Sequence, residues 1–203
     1  HGAVMRHLVG VTQRVEKLEK YDEKRDCLDQ RWQRMLAEIG VLSVPIPNDP
    51  ETFSQFVSAT NLSGFILTGG NDLNAYGGEA IERDALENQL LKYSEDQDLP
   101  VLGVCRGMQV MHVADGGSLK PIDHHVRTRH LQSFQNEEIE VNSYHNWGIY
   151  SPTEHFNVLC RCDDGSIEAF EHVNNQWIGI MWHPEREGAL AKHDRRILER
   201  LFK

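Results

Sequence analysis

Short, mostly apolar runs recur down the first half of this chain, and long polar or amphipathic stretches separate them. Residues 7–12 (HLVGVT), 41–46 (VLSVPI), 64–68 (GFILT) and 101–104 (VLGV) are such runs. A strand apolar on both faces is buried on both faces, which is the habit of parallel sheets. Parallel neighbours need a crossover between them, usually a helix. The spacing therefore predicts a parallel sheet with helices on both sides. One helix is expected over 22–39, where Leu28, Trp32, Met35, Leu36 and Ile39 recur at helical spacing and Gly40 closes it. Two more are expected over 81–97 and 106–114.

Beyond Glu137 the texture changes. Residues 138–144, 156–162, 166–172 and 177–182 are strand-like, with turn signals at Asp163-Asp164-Gly165 and Asn174-Asn175. A last helix is expected over 189–202. The fold class is thus α/β, mostly parallel, with antiparallel strands in the C-terminal part. The chain shows no repeat, low-complexity tract or linker, so one domain over 1–203 is expected, long enough to bury a core without disulfides or metals. Residues 1–4 precede the first methionine, Met5, and read as additions to the native sequence.

The formal charge of −10 argues against nucleic acid and anionic membranes as partners, since their phosphates would be repelled. No apolar stretch nears the roughly 20 residues that span a bilayer, and no signal peptide opens the chain. A cytoplasmic location is the expectation. The cysteines are Cys27, Cys105, Cys160 and Cys162, read as free thiols because Cys160 and Cys162 alternate on one strand, a poor geometry for a mutual bridge.

The most informative segment is Val101-Leu102-Gly103-Val104-Cys105-Arg106-Gly107-Met108-Gln109. An apolar strand ends in Gly-x-Cys-x-Gly and a helix begins at once. Glycines without Cβ atoms permit the sharp turn and close backbone approach, the steric logic of a nucleophile elbow. Cys105 would then sit at a helix N-terminus, which favours the thiolate. The Arg106 N–H is placed to donate to an oxyanion. Taken alone, a cysteine here reads as a buried core residue, and the paired glycines tilt the reading towards chemistry.

A cysteine nucleophile needs a base, and the base needs an orienting group. The apolar run 177–182 leads into His183-Pro184-Glu185-Arg186. His183 stands at a strand end, Pro184 stiffens the turn, and Glu185 can reach back to the imidazole. An ordinary exposed His–Glu turn is the plain alternative without Cys105. The third piece, Leu67-Thr68-Gly69-Gly70-Asn71-Asp72, follows a buried strand, and Gly70 is the second candidate oxyanion donor.

These pieces resemble the class I glutamine amidotransferase superfamily, and within it the γ-glutamyl hydrolase-like group called peptidase family C26. Gly116-Gly117-Ser118-Leu119, Val141-Asn142-Ser143-Tyr144-His145 and Asp164-Gly165-Ser166-Ile167-Glu168-Ala169 also match, in family order. The resemblance implies a flavodoxin-like three-layer sandwich and a γ-glutamyl thioester on Cys105. It further implies that Gln109 helps bind the α-amino acid end of the glutamyl group, with Ser143, Tyr144, His145 and Glu168 beside the nucleophile. His145-Asn146-Trp147 departs from the His-His-Gln usual in relatives acting on γ-glutamyl-aminobutyrate. The chain looks closer to γ-glutamyl-CDP-amidate hydrolases of capsule phosphoramidate biosynthesis.

Asp123-His124-His125 with His130 lies among Arg127 and Arg129. No Cys or carboxylate falls at zinc spacing around it, so an irregular, solvated loop is expected, with Arg127 and Arg129 offered to a phosphate-bearing leaving group. Trp147 and Trp182 read as core or pocket wall. The expected function is release of glutamate from a γ-glutamyl amide or phosphoramidate by Cys105, His183 and Glu185, with Gly70 and Arg106 holding the oxyanion. That chemistry needs no metal or organic cofactor. The alternatives are a γ-glutamyl-aminobutyrate hydrolase, a glutaminase subunit serving a separate synthetase, and a catalytically idle binding member of the fold. A homodimer is one option for its assembly.

Overall fold

The computed structural model describes residues 7–203; the reading of residues 1–4 as additions lies outside the described residues. The strands are β1 (His7–Val11), β2 (Arg14–Leu18), β3 (Glu23–Cys27), β4 (Val41–Pro45), β5 (Gly64–Leu67), β6 (Val101–Val104), β7 (Lys120–Pro121), β8 (Val126–Phe134), β9 (Glu137–Tyr144), β10 (Trp147–Gly148), β11 (Phe156–Arg161), β12 (Ile167–His172) and β13 (Trp177–Ile180). The α-helices are α1 (Arg31–Ala37), α2 (Phe53–Thr60), α3 (Ile81–Gln97), α4 (Arg106–Ala114) and α5 (Lys192–Phe202).

Seven strands form the central sheet in the order β11-β12-β13-β6-β5-β1-β4. β4, β1, β5, β6 and β13 run parallel, while β12 and β11 are added antiparallel. The central strands are buried throughout: Phe65, Ile66, Leu67, Val101, Leu102 and Val104 have no exposed surface. Residues of this kind carry the folding free energy, each contributing about 1.5–3 kcal/mol on burial. Trp182 belongs to this core, edge-on to Phe134 and donating its Nε1–H to Asp194 at 2.8 Å. Trp147 is half-buried against the ring of Tyr76.

Two expectations fail. The helix over 22–39 is only α1, and residues 14–27 fold instead into the antiparallel β2–β3 hairpin. The apolar period was genuine from Leu28 onward, but the charged residues before it carry no helical period. Asp22, in left-handed conformation at φ 47°, turns the chain into β3. The irregular loop expected around His130 is strand β8, paired with β9 from Val126↔Tyr144 to Phe134↔Glu137. Its two faces are both largely polar, so the alternation that marks a half-buried strand was missing. α2 (Phe53–Thr60) lay outside every expected element.

All four cysteines are free thiols, as expected. Among the described residues, no helix is long and apolar enough to cross a membrane.

Candidate active site

The C-terminal ends of β5, β6 and β13 are adjacent in the sheet, and each delivers one piece of the site. β6 delivers Cys105. Its backbone sits at φ 53°, ψ −104°, a region that side chains other than glycine rarely occupy, and α4 starts at the next residue. The turn is that tight because backbone packs on backbone. A Cβ at Gly103 would come within 2.7 Å of the Gly107 carbonyl carbon, and one at Gly107 would overlap the carbonyl of Leu67. The Cys105 N–H donates to Ile180 O at 2.8 Å, tying the elbow to β13. As the first residue of α4, Arg106 has no intrahelical acceptor for its N–H, which is thereby available to an anion.

β13 delivers His183, which is 2% exposed. Its Nδ1 lies 2.6 Å from Glu185 Oε1, and Cys105 lies close to the ring, both residues lying against Gly69. Burial alone would push this imidazole down, but Cys105 and Glu185 against it prevail and hold its pKa up at about 9. Asn142 fixes the backbone beneath the ring, its Oδ1 accepting from His183 N–H and its Nδ2 donating to His183 O, both at 2.8 Å. Asn142 lies in a segment that had drawn attention only for its neighbours. Its role depends on a contact 41 residues distant, which no local pattern announces.

β5 delivers Thr68-Gly69-Gly70. The buried Arg83 of α3 donates to the carbonyls of Thr68 at 2.8 Å and Gly69 at 3.1 Å, and to that of Gly70. In a trans peptide the carbonyl and the following N–H point opposite ways. Holding the Gly69 carbonyl towards Arg83 therefore turns the Gly70 N–H away from it. A Cβ at Gly69 would meet His183 Cε1 at 2.6 Å and Cys105 Cβ at 3.6 Å, so this loop runs directly against the Cys–His pair. Arg83 is itself held by Glu87, which also receives Arg106. This buried cluster escaped sequence reasoning because α3 carries its charges inward.

A cavity of about 340 Å³ opens beside His183. Arg14, Glu16 and Cys27 of the hairpin wall it on one side, with Trp32, Glu185 and Arg186 on others. Asn71 pins the hairpin there through paired 2.9 Å hydrogen bonds with the backbone of Val15. Tyr144 stands edge-on to the His183 ring at 5.8 Å, under the Arg186 guanidinium. Gln109 is buried, its Nε2 donating to Trp147 O at 3.3 Å. Arg127 is exposed, and Arg129 is paired with Glu140 at 3.0 Å and Glu187 at 3.2 Å.

Ser143, His145 and Glu168 gather in a second buried cluster with His125 and Cys162. It too holds a Cys, a His and a carboxylate. Here, however, the Cys162 thiol donates to Glu168 at 3.1 Å, and burial together with that carboxylate pushes the thiol far above its ordinary value. A thiol so held is a poor nucleophile. Cys105 has the opposite surroundings: a helix N-terminus, a strained elbow and an imidazole.

The chain belongs to the Peptidase C26 family, whose match covers residues 7–130 and 120–185. It is a hydrolase of the class I glutamine amidotransferase-like kind. The chain is 34% identical to the gamma-glutamyl-CDP-amidate hydrolase of Campylobacter jejuni subsp. jejuni serotype O:2, over 90% of this chain and 92% of that one. It is 28% identical to a glutamine-hydrolyzing GMP synthase of Ruthia magnifica subsp. Calyptogena magnifica, over 83% of this chain but 33% of the synthase. The crystal structure of a glutamine amidotransferase from Thermotoga maritima superposes with a TM-score of 0.68 at 14% identity, covering 97% of this chain and 83% of that one. That likeness shows the fold.

The raised pKa of His183 has a consequence for stability. Its folded value of about 9 exceeds the ordinary 6.5, so the folded state holds this proton more tightly than the unfolded state does. The contribution is full below pH 6.5 and is lost as pH rises through about 9. Melting temperature should fall across that window in the wild type, and the fall should shrink in His183→Gln. Identical pH profiles for the two proteins would show that His183 is not held charged.

Proposed function

We propose that this chain is a cysteine hydrolase that releases glutamate from a γ-glutamyl phosphoramidate, with Cys105, His183 and Glu185 as the catalytic triad. The observation that carries the proposal is Cys105 on a strained strand-to-helix elbow, close to a buried His183 that Glu185 orients. The Cys105 thiolate attacks the γ-carbonyl, and the N–H groups of Gly70 and Arg106 receive the oxyanion. His183 protonates the leaving nitrogen. Collapse leaves a γ-glutamyl thioester on Cys105, and His183 then takes a proton from the water that hydrolyses it. Glutamate departs, and the Cys105 thiolate and protonated His183 are restored.

The substrate class is supported by the Campylobacter jejuni relative and by the cations in the cavity wall. Arg14 and Arg186 stand beside His183, where the leaving group would lie. They are better placed for a phosphate than Arg127 and Arg129, which do not border that cavity. A glutaminase half of a synthetase is the second reading, favoured by the match to GMP synthase.

Glutamate release by point variants tests the triad. His183→Ala should lose on the order of 10⁴-fold or more in kcat, and Glu185→Gln less, because the orienting group contributes less than the base. An active His183→Ala alongside a dead His125→Ala would transfer the chemistry to the Cys162 cluster.

A further inference from the structure

The second cluster is built from segments that no local spacing connects. His125 immediately precedes β8, His130 lies within it, Cys162 follows β11, and Glu168 lies on β12. One ligand atom from each of these four lies within 4.8 Å of every other. Four ligands about zinc, at about 2.0–2.3 Å each, sit about 3.3–3.8 Å apart in a tetrahedron. A contraction of about 1 Å at the widest pair therefore closes the shell.

The surroundings favour a cation over a chance grouping. Glu168 is 1% exposed, with its Oε1 3.1 Å from Cys162 Sγ and 3.5 Å from His125 Nδ1. Cys162 meets this carboxylate as a thiol donor, and once deprotonated it would set a second anion beside Glu168, which a cation between the two would offset. His125 presents its other nitrogen, Nε2, to Asp164 Oδ2 at 2.7 Å. Asp164 in turn receives the N–H and hydroxyl of Ser166 at 2.9 and 2.6 Å. A ligand histidine whose second nitrogen meets a fixed carboxylate is the habitual outer arrangement of zinc sites. One further buried polar atom borders the cluster without a hydrogen-bond partner, His145 Nε2, 3.8 Å from Glu168 Oε1. A cavity of about 480 Å³ reaches His125, His130 and Cys162 from solvent, with Asp163 and Asp164 at its mouth.

We propose that His125, His130, Cys162 and Glu168 form a zinc-binding site that fastens the β8–β9 hairpin to the edge of the central sheet. Two imidazoles, a thiolate and one carboxylate suit a borderline-soft divalent ion and exclude magnesium and calcium. Binding displaces the Cys162 thiol proton and the Nδ1 proton of His125 to solvent. The ion takes no part in bond breaking at Cys105. Its effect is mechanical, because β9 carries Asn142, which holds the His183 backbone.

The test uses the full chain, stripped of metal by dialysis against chelator and titrated with cobalt(II) as a spectroscopic stand-in for zinc. One equivalent should bind with the d–d intensity of a four-coordinate ion and a thiolate-to-cobalt charge-transfer band. Zinc should displace it and raise the melting temperature. Cys105→Ser should keep the band and Cys162→Ser should lose it. If Cys162→Ser fails to fold, His130→Gln at the half-buried rim must weaken cobalt at least about 10-fold. The proposal is overturned by a folded wild type that shows no band, or by unchanged affinity in His130→Gln. A band that disappears in Cys105→Ser and persists in Cys162→Ser also overturns it, by placing the ion on the Cys105–His183 pair.

Discussion

Replacing Cys105 with alanine is expected to abolish glutamate release, with a loss on the order of 10⁴-fold or more in kcat, while circular dichroism stays that of the wild type. Serine should fare little better, since its hydroxyl is far less acidic than a thiol and His183 cannot ionise it as readily. Glycine offers a sharper version of the experiment. Cys105 occupies φ 53°, ψ −104°, where a side chain costs about 1–3 kcal/mol and glycine sits without strain. Part of that gain is returned, because glycine gives the unfolded chain about 0.5–1 kcal/mol more conformational entropy. Cys105→Gly should therefore be inactive yet more stable than the wild type by about 1 kcal/mol, or about 2–4 °C in Tm for a chain of this size. An inactive variant that is also destabilised would mean that the elbow is not strained for catalysis. An active Cys105→Ala would remove this residue from the mechanism altogether.

The same residue shows what a sequence can reveal by itself. The elbow was legible because its requirements are local: an apolar strand, two glycines and an immediate helix, all within residues 101–109. His183 and Glu185 were legible for the same reason, since only Pro184 separates them and that proline fixes the turn. The parallel sheet followed from apolar runs whose burial on both faces is written in their composition. The hairpin walling the cavity was not legible. Its strands are charged on both faces, and what holds it is Asn71 bonding to Val15 across 56 residues. Arg83 was hidden in the same way. Its place under the Gly69-Gly70 loop comes from α3 packing, and an arginine at that point of a charged helix reads as solvated surface. The company of the histidines was the least legible of all. A search at local zinc spacing finds no partner for His125 and His130, because Cys162 and Glu168 arrive from two other strands.

On the proposed function, the hairpin matters most for the choice of leaving group. The proposed phosphoramidate substrate should exceed L-glutamine in kcat/KM by on the order of 10³-fold, because phosphate and ribose contacts remote from the γ-carbonyl can position it for attack, as a bare amide cannot. The cavity shows where that energy would come from. Arg14 is carried on β2 and packs on Gly70 so closely that a Cβ there would overlap its guanidinium. A group gripped by Arg14 would thus be held next to Gly70, the proposed oxyanion donor. Arg186 follows Glu185 directly and stacks over Tyr144 at 4.5 Å. Arg14→Ala should raise KM for γ-glutamyl-CDP-amidate by about 10–100-fold, the worth of one or two charge-assisted hydrogen bonds. Slow glutamine hydrolysis, which presents no phosphate, should change little. Arg127→Ala serves as the comparison, since its exposed side chain lies off the cavity wall. Measuring kcat/KM for γ-glutamyl-CDP-amidate, γ-glutamyl-aminobutyrate and glutamine on one preparation of each protein separates the readings. Preference for γ-glutamyl-aminobutyrate would keep the hydrolase and discard the phosphate grip. Glutaminase activity that rises only when a synthetase is added would favour the ammonia-donating reading, with the hairpin then serving as the face presented to that partner.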